Sequence, residues 1–301
     1  MKHDCHLLRS WLFVPGDSER KLQKCWLSDA DALIFDLEDA VLAPRKALAR
    51  GMTRSAIGQS QRNGKAVAIR LNAIDTGLTE GDIEETIDCR PDAYVLPKAN
   101  TPEDIRRASA LIGRSEAKQG LAEGGIGLIP IVTEHPTALQ HLHTLCSADP
   151  RIAAVIWGTE DLSAAIGARR VKDDRFQMLD VFKVVRALVL LAASAAGVAI
   201  IDTPVVELDA LDVLDRESRE AADMGFTGKL AIHPNQAQVI NRAFLPDEAE
   251  AGYARALLEA SKAQEDGAFM FRNKMIDMPH LRMAERIVAL DDAHSRRSAT
   301  P

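Results

Sequence analysis

Charged and polar side chains follow the ends of successive apolar runs in this chain. The segments concerned are 36–39 (DLED), 70–72 (RLN), 97–98 (PK), 133–134 (TE), 158–161 (GTED), 202–203 (DT) and 233–234 (HP). Carboxylates of this kind are the oxygen ligands that Mg²⁺ prefers. A guanidinium such as that of Arg70 offers a two-pronged contact to a carboxylate or oxyanion. If the fold brings these groups together, they could stabilise an enolate or a polarised keto oxygen.

The apolar runs before these polar groups are short and mostly aliphatic or β-branched. They are Trp11–Val14, Ala32–Leu37, Ala66–Leu71, Ala93–Leu96, Ile126–Val132, Ala153–Trp157, Val198–Ile201 and Leu230–Ile232. Runs without strict polar alternation are typical of parallel strands that are covered on both faces. Helical spacing of apolar residues marks the segments between them, among which are Glu19–Leu27, Pro102–Ile112, Pro136–Leu145 and Glu217–Met224.

Eight such strands alternating with helices predict a (β/α)8 TIM barrel over residues 1–235, with an open doubly wound sheet as the alternative. In a barrel the carboxyl ends of all strands meet at one face, where barrel enzymes hold their chemistry. The polar segments are therefore expected to lie together.

The pattern changes after Pro234, and residues 236–301 are predicted to form a C-terminal helical extension. The predicted parts are a helix over Gln236–Phe244, a helix over Glu248–Gln264, a loop from Gly267 to Met278, a helix over Pro279–Leu290 and a frayed polar tail. We expect an appendage to the barrel rather than a second large domain.

Composition excludes several classes of protein. The 301 residues carry a net charge of −7, which disfavours nucleic-acid binding. The most apolar stretch, 187–201, is interrupted by Ser194 and Gly197 and is shorter than the ~20 residues of a membrane span. It predicts a buried helix that runs into a buried strand. The four cysteines are widely spaced and the N-terminus has no long apolar stretch, so we expect a soluble protein of the cytoplasm with reduced thiols.

Several motifs in order resemble the citrate lyase beta-subunit-like family, within the HpcH/HpaI aldolase group. They cover the chain from about Arg9 to Leu290 and read RSWLFVPGDSERKLQK, DALIFDLEDAV, AIRLN, YVLPK, IPIVTEHP, VIWGTEDLSAAIG, AIIDT, GFTGKLAIHPNQ and KMIDMP. The family includes malyl-CoA, citramalyl-CoA and citryl-CoA lyases. The resemblance implies a Mg²⁺-dependent barrel (Mn²⁺ as a substitute) that is commonly a trimer or hexamer, with the C-terminal segment reaching a neighbouring subunit.

The resemblance also implies roles for single residues near the metal. Glu134 of IVTEHP and Asp161 of WGTEDL match the two metal carboxylates. Arg70 of AIRLN matches the arginine that contacts the oxo-acid and the developing enolate oxygen. Glu38 and Asp39 of DLEDAV match acids that act near the metal, through water. From the residues alone, an ion pair between Arg70 and an acid of the 36–38 segment remains the alternative for that arginine.

Substrate contacts follow from the resemblance in the same way. The amides of Gly158, Thr159, Glu160 and Asp161 are expected to hold the substrate carboxylate. Arg20 and Lys24, with Lys21, match the position where the family binds the phosphates of CoA. Asp277 of KMIDMP matches a lid acid that could act as acid/base across a subunit boundary. Capping of the following helix is the alternative for Asp277.

Departures from the family pattern concern the lid and the substrate. The lid has Phe271-Arg272-Asn273 before Lys274, where the family usually has a glycine, and an asparagine can adopt the left-handed conformation. Many relatives have an aromatic residue in the segment after Asp202. We expect His135, Val205 and Val206 to select among malyl, citramalyl, methylmalyl and citryl groups.

Other activities stay open on the sequence alone. The chain could be a citrate lyase subunit that acts on a thioester of an acyl carrier protein, or a thioester hydrolase for malyl-CoA. Lys98 could be a Schiff-base lysine, and His233 could be a general base or a structural histidine. A barrel that has kept its fold as a scaffold or regulator is the non-enzymatic alternative.

Overall fold

Eight parallel strands form the centre of the protein, in a computed structural model that describes residues 4–264 and 267–298. The strands are β1 (Ser10–Pro15), β2 (Ala32–Asp36), β3 (Ala66–Arg70), β4 (Ala93–Leu96), β5 (Gly127–Pro130), β6 (Ala154–Ile156), β7 (Ala199–Asp202) and β8 (Gly228–Ala231). Their order in the sheet is β5-β4-β3-β2-β1-β8-β7-β6. Parallel bridges from Leu128 to Ile152 and from Ile131 to Ile156 join the two ends. The sheet therefore closes, which confirms the (β/α)8 barrel.

Helices follow the strands along the chain. Those of the barrel region are α1 (Glu19–Lys24), α2 (Lys46–Gly58), α3 (Thr79–Thr86), α4 (Pro102–Lys118), α5 (Pro136–Leu139), α6 (Leu142–Cys146), α7 (Glu160–Ala165), α8 (Asp180–Ala196), α9 (Leu211–Met224) and α10 (Pro234–Ala243). Three predictions differ in extent. Helix α4 continues six residues beyond Ile112, to Lys118. The helix predicted over Pro136–Leu145 is broken between α5 and α6, and α9 begins six residues before Glu217.

The barrel interior is filled by alternate side chains of the strands. Trp11, Ile34, Ala68, Ile129 and Ile201 belong to one buried cluster of apolar residues. Side chains two positions apart on a strand point to the same face. Asp36 and Arg70 each come two positions after a member of this cluster and are register partners on β2 and β3. The strand pattern therefore directs both toward the axis, at the carboxyl end of the barrel.

Helix α8 differs from the helix predicted for the apolar stretch 187–201. Val189 and Ala193 are buried, but Leu188 and Leu191 of the same stretch are exposed. The prediction of a helix buried all round is therefore wrong for its outer face. No helix within residues 4–264 and 267–298 combines the length and apolarity that crossing a bilayer requires.

The chain separates into two compact units between Asn241 and Arg242. In the second unit, α11 (Glu248–Ser261) and α12 (Met278–Ser298) accompany an antiparallel hairpin of β9 (Phe269–Phe271) and β10 (Lys274–Ile276). The loop predicted from Gly267 to Met278 therefore contains a hairpin. Its turn residues, Arg272 and Asn273, have φ values of 46° and 63°. These are left-handed values that asparagine tolerates better than most residues.

The polar tail is helical as far as Ser298, where fraying was predicted; residues 299–301 lie outside the described residues. Asp291 and Asp292 of α12 pair with Arg255 of α11 at 2.8 and 2.5 Å. Ala293 is buried. These contacts stabilise helical turns that the polar composition of the tail does not favour.

Candidate active site

One cavity at the carboxyl ends of the barrel strands gathers most of the predicted site. Its volume is about 350 Å³. The lining residues are Phe13, Pro15, Lys21, Asp36, Asp39, Ala40, Arg70, Ile131, Glu134, Ile156, Gly158, Thr159, Glu160, Asp161, Thr203, Pro204, Val206, Leu230 and Ile232. The two predicted metal carboxylates and the predicted substrate arginine therefore face one space.

Arg70 is held by carboxylates on two sides. Its Nε and Nη2 donate to Oδ1 and Oδ2 of Asp36 at 2.8 and 2.7 Å. Its Nη1 lies 2.9 Å from Oε2 of Glu38, without hydrogen-bond geometry. A guanidinium has five N–H groups, so donors remain for an oxygen in the cavity. The sequence left an ion pair with an acid of 36–38 as the alternative to a substrate contact of Arg70. The ion pair is present, and Arg70 also lines the cavity.

Phe13 of β1 lies under the same guanidinium, with the ring centroid 4.8 Å from Cζ of Arg70. Phe13 was not predicted as a site residue. The one sequence feature that could have indicated Phe13 is its position as an aromatic residue near the carboxyl end of a barrel strand. This feature is weak, because such a residue more often belongs to the core. The ring limits the movement of Arg70 and adds a cation–π contact.

Lys98 connects the acids of neighbouring strand ends. Its Nζ hydrogen-bonds Glu38 and lies 3.4 Å from Asp39 and 3.7 Å from Asp161. Burial alone would lower the pKa of Lys98, but the bond to Glu38 and the charges of the three acids together raise it. A Schiff base requires the neutral amine, so these contacts disfavour that alternative. Glu38 and Asp39 therefore balance the charge of Lys98.

Glu134 is the most perturbed carboxyl group of the cavity. It is buried, and the backbone N–H of Lys98 donates to its Oε2. Burial raises the pKa of Glu134 to about 8, and the nearby carboxylates of Glu38 and Asp161 add to the rise. Gly158 packs against it, since a Cβ at that position would lie 3.6 Å from Cγ of Glu134.

The excess of negative charge makes the donor set suitable for a divalent cation. Asp36, Glu38, Asp39, Glu134 and Asp161 are five carboxylates, while Arg70 and Lys98 are two cations, which leaves three negative charges when all are ionised. No three Asp, Glu, His or Cys side chains of the described residues already surround one metal position. Two carboxylates together with retained water are an ordinary environment for Mg²⁺. The residues present are therefore compatible with this ion.

The 158–161 segment only partly matches its predicted role. The amide of Gly158 donates to Oγ1 of Thr133 at 2.9 Å, and Thr133 donates back to the Gly158 carbonyl at 3.1 Å. The Gly158 amide is therefore occupied, contrary to prediction. The following amides lie at the start of α7, where first-turn N–H groups have no carbonyl partner within the helix. Thr159, Glu160 and Asp161 remain the candidates to hold a carboxylate.

Two predicted specificity positions lie away from the cavity wall. His135 is exposed and caps α5, accepting from the Thr137 amide at 3.2 Å. Val205 is fully buried, and its carbonyl accepts from Gln236 at 2.9 Å. Val206 alone of the three predicted positions lines the cavity. His233 is also exposed and accepts from the Asn235 amide at 3.3 Å, which favours its structural role.

The basic residues of α1 are divided between the cavity and the open surface. Arg20, Lys21 and Lys24 are all exposed. Lys21 lines the cavity, while Arg20 and Lys24 do not. Contact of the latter two with CoA phosphates stays a prediction.

Asp202, at the end of β7, does not belong to the cavity. It follows Ile201 of the interior cluster and therefore points outward from the barrel. It accepts from Nζ of Lys229 at 2.7 Å and from Nε1 of Trp157 at 2.7 Å. The prediction that Asp202 faces the site together with the other polar strand ends is wrong. Adjacent residues of a strand point to opposite faces, so the end of a strand does not by itself bring a residue into the site.

Asp277 lies in the second compact unit, directly before α12. Its Oδ1 is 2.5 Å from Nδ1 of His280, and its carbonyl accepts from the His280 amide at 3.1 Å. These contacts are those of a residue at the start of a helix. An acid/base role for Asp277 stays a prediction.

Comparison with known proteins agrees with this geometry. Residues 9–234 match the family model described as HpcH/HpaI aldolase/citrate lyase. The mitochondrial citramalyl-CoA lyase of Mus musculus is 35% identical over 94% of this chain and 85% of its own length. The (3S)-malyl-CoA thioesterase of Cereibacter sphaeroides is 30% identical over 97% and 98%.

Among solved structures, CitE of Mycobacterium tuberculosis in complex with magnesium, acetoacetate and coenzyme A is similar. It is 28% identical, covers 95% of this chain and 99% of its own, and has a TM-score of 0.76. The family match includes Arg70, Glu134 and Asp161. This chain therefore belongs to the HpcH/HpaI aldolase/citrate lyase family.

Proposed function

We propose that this chain is a Mg²⁺-dependent carbon–carbon lyase. Its substrate would be a 3-hydroxyacyl-CoA such as malyl-, citramalyl- or citryl-CoA, cleaved into an acyl-CoA and an oxo-acid or formed from them. The observation that carries the proposal is the placement of Glu134, Asp161 and Arg70 on one cavity. The citramalyl-CoA lyase relative and the CitE complex with magnesium, acetoacetate and coenzyme A support it.

Glu134 and Asp161 are the residues that would hold Mg²⁺, or Mn²⁺ in its place. When bound, the ion would supply Lewis-acid stabilisation of oxygens on the oxo-acid portion. The raised pKa of Glu134 supports this assignment, because burial penalises the ionised carboxylate and a bound cation would offset that penalty.

The side chains around the cavity would perform the remaining steps. Cleavage removes the hydroxyl proton and breaks the bond to the α-carbon, whose electron pair passes to the acyl-CoA enolate. Arg70, fixed by Asp36, would donate to the oxo-acid oxygen as charge develops there. Amides of Thr159 to Asp161 would hold the carboxylate. Glu38 and Asp39, or Asp277 from the lid of a neighbouring subunit, are the proposed groups for proton transfer.

The decisive assay offers a panel of hydroxyacyl-CoA esters to the purified chain with Mg²⁺ and measures the released oxo-acid. Glu134→Gln should lower kcat/KM by about 10²-fold or more, because charge stabilisation and substrate ordering fail together. Glu103→Gln makes the same chemical change at an exposed surface carboxylate and should leave turnover unchanged. Full turnover of Glu134→Gln at limiting Mg²⁺ would rule out the ligand assignment.

Hydrolysis is the second candidate, favoured by the full-length similarity to a malyl-CoA thioesterase. A lyase releases oxo-acid and retains the thioester, whereas a thioesterase releases free CoA thiol. Thiol titration of the same reactions separates the two activities. Turnover that requires a carrier-protein thioester would instead favour a citrate lyase subunit.

Further parts of the proposal concern cell location and assembly. The four free cysteines agree with the proposed cytoplasmic location, although the mouse relative is named as mitochondrial. A trimer or hexamer in which residues 236–301 reach a neighbouring subunit is the proposed assembly. Arg20 and Lys24 are the proposed contacts to CoA phosphates.

A further inference from the structure

Lys98 contacts acids that follow three different strands, although the proposed function gives it no role. Its backbone N–H donates to Oε2 of Glu134, which follows β5. Its Nζ hydrogen-bonds Glu38, which follows β2, and lies 3.7 Å from Oδ1 of Asp161, in the segment after β6. Oδ2 of Asp39 lies 3.4 Å from the same Nζ. One residue therefore contacts both proposed metal ligands and two of the acids proposed for proton transfer.

The backbone of Lys98 has a conformation that its residue type disfavours. Its φ of 52° is left-handed, and residues other than glycine, asparagine and aspartate rarely adopt this value. Such a conformation persists where the surrounding contacts determine it, and it is concentrated at functional sites. The contacts here are the amide of Lys98 on Glu134 and its ammonium group on Glu38. Both the main chain and the side chain of Lys98 are therefore fixed on acids of the site.

The ammonium group of Lys98 supplies positive charge to carboxylates that a metal would also contact. A divalent cation on Glu134 and Asp161 would share Asp161 with this ammonium group. Two positive charges beside one carboxylate repel each other, most strongly where water is scarce. The side chain of Lys98 is 33% exposed, so its ammonium group can turn toward solvent when an ion binds.

We propose that Lys98 is a positioning residue that acts as an internal counter-cation of the metal site and competes with the metal for Asp161. This inference rests on the proposed metal ligands Glu134 and Asp161. It predicts that loss of the ammonium group has two opposite effects. The metal should bind more tightly, because a competing positive charge has gone. Turnover should fall, because Glu38 loses the donor that orients it.

Metal binding to the metal-free, full-length chain tests the role of this charge. Mn²⁺ is the probe, and the loss of its free-ion signal in electron paramagnetic resonance measures the bound fraction. Lys98→Met should lower the Kd for Mn²⁺ by about 10-fold, because a nearby positive charge is removed. Lys98→Arg keeps the charge and should stay within about 3-fold of the wild type. Lys118→Met removes an exposed lysine that pairs with Glu84 at 3.0 Å, and it should leave the Kd unchanged.

A second substitution separates the ammonium group from the backbone. Lys98→Gly removes the side chain, but glycine adopts the left-handed conformation readily, so the amide can still donate to Glu134. The Kd for Mn²⁺ should fall as it does in Lys98→Met. An unchanged or raised Kd in both variants would show that Lys98 does not compete with the metal, and would overturn the proposal.

Turnover of the same variant tests the positioning role. At saturating Mn²⁺, Lys98→Met should cleave the best ester of the panel about 10-fold more slowly than the wild type, because Glu38 is no longer oriented. Tighter metal binding combined with slower turnover distinguishes this role from damage to the fold, which would weaken both. Circular dichroism of the variant should match the wild type. Unchanged turnover would refute the positioning role.

Glu134→Gln keeps failure of this inference apart from failure of the proposed function. If Glu134→Gln binds Mn²⁺ as tightly as the wild type, the proposed metal site is wrong, and the counter-cation role of Lys98 is refuted with it. If Glu134→Gln loses Mn²⁺ while neither Lys98→Met nor Lys98→Gly gains affinity, the metal site stands and only the role of Lys98 is overturned.

Discussion

At the residue scale, Arg70 is paired with carboxylates and also lies on the cavity wall. Its fork to Asp36 is an ion pair buried at the carboxyl end of the barrel, and its side chain is only 13% exposed. Burial alone would lower the pKa of Arg70, but Asp36 and Glu38 raise it, so the group stays charged. The pair therefore fixes a permanent positive charge in the cavity wall. An arginine so fixed needs no reorganisation when negative charge develops on a substrate.

The two parallel hydrogen bonds from Arg70 to Asp36, and not only the positive charge of Arg70, can be tested by substitution. Arg70→Lys keeps the positive charge but cannot reproduce two parallel contacts to Asp36. We expect kcat/KM to fall by about 10²-fold, chiefly through kcat. Steady-state assays with the best ester of the panel measure this change. Arg114→Lys, at an exposed pair with Glu80, is the matched control, and equal activity of the two variants would refute the assignment.

Strand ends allowed the sequence to predict that Arg70, Glu134 and Asp161 lie near one another, because all three follow apolar runs whose ends converge in a barrel. The roles expected of these residues come from the family resemblance. The connection of these acids through Lys98 is not predicted by the strand-end pattern. Contacts of its Nζ with Glu38 and Asp161 depend on side-chain conformation, about which residue spacing says little. Lys98 also has a φ of 52°, a left-handed value that its residue type does not indicate.

At the scale of elements, a buried polar network ties β7 and β8 to α8. Asp202 of β7 accepts from Lys229 of β8 at 2.7 Å and from Arg186 of α8 at 3.1 Å. Burial alone would raise the pKa of Asp202, but Lys229 and Arg186 lower it. The network therefore depends on its central carboxylate to neutralise a lysine that is fully buried.

Removing the carboxylate of Asp202 should lower the free energy of unfolding of the barrel. Asp202→Asn leaves Lys229 with Glu217 at 3.8 Å as its remaining acid within the described contacts. We expect the free energy of unfolding to fall by about 3 kcal/mol, as for other broken buried pairs. Urea unfolding measures it. Glu84→Gln breaks an exposed pair with Lys118 and should cost under about 1 kcal/mol, so similar losses in both variants would contradict the argument.

Elements with strong apolar runs were predicted to within a few residues, and exceptions have local causes. The break between α5 and α6 falls at Gln140 and His141, where no proline or glycine gives a signal. The hairpin of β9 and β10 was expected as a loop, because each strand has three residues and the turn is Arg272-Asn273. Strands this short give too little alternation to recognise.

At the scale of the whole molecule, the alternation of strands and helices was enough to predict the fold class from the sequence. Closure of the barrel depends on the bridges between the β5 and β6 regions. The sequence could not predict which side of α8 faces solvent, because its composition is apolar on nearly all sides. Exposure of Leu188 and Leu191 appears only when the helix packs with its other face on the barrel.

Burial of Glu134 beside the carboxylates of Glu38 and Asp161 should also appear in the pH dependence of barrel stability. Folded metal-free chain keeps the proton of Glu134 up to its pKa of about 8, whereas the unfolded chain loses it near the ordinary value of 4.5. Between these values the folded state binds more protons, so the free energy of unfolding falls as pH rises. The contribution of Glu134 is at most about 1.4 kcal/mol per pH unit. Burial raises the pKa of Glu38 too, which acts in the same direction.

Urea unfolding at a series of pH values, followed by tryptophan fluorescence, isolates this effect, because Trp11, Trp26 and Trp157 all lie in the unit that contains the barrel. Glu134→Gln should flatten the decline between about pH 5 and pH 8, since the variant has no proton to release there. Saturating Mg²⁺ should flatten it in the wild type, because the ion binds the ionised carboxylate and replaces the proton. Glu103→Gln should keep the wild-type slope. An undiminished slope in Glu134→Gln would mean that this carboxyl group is already ionised in the folded chain and that other groups cause the decline, which would remove the raised pKa of Glu134 as support for the metal site.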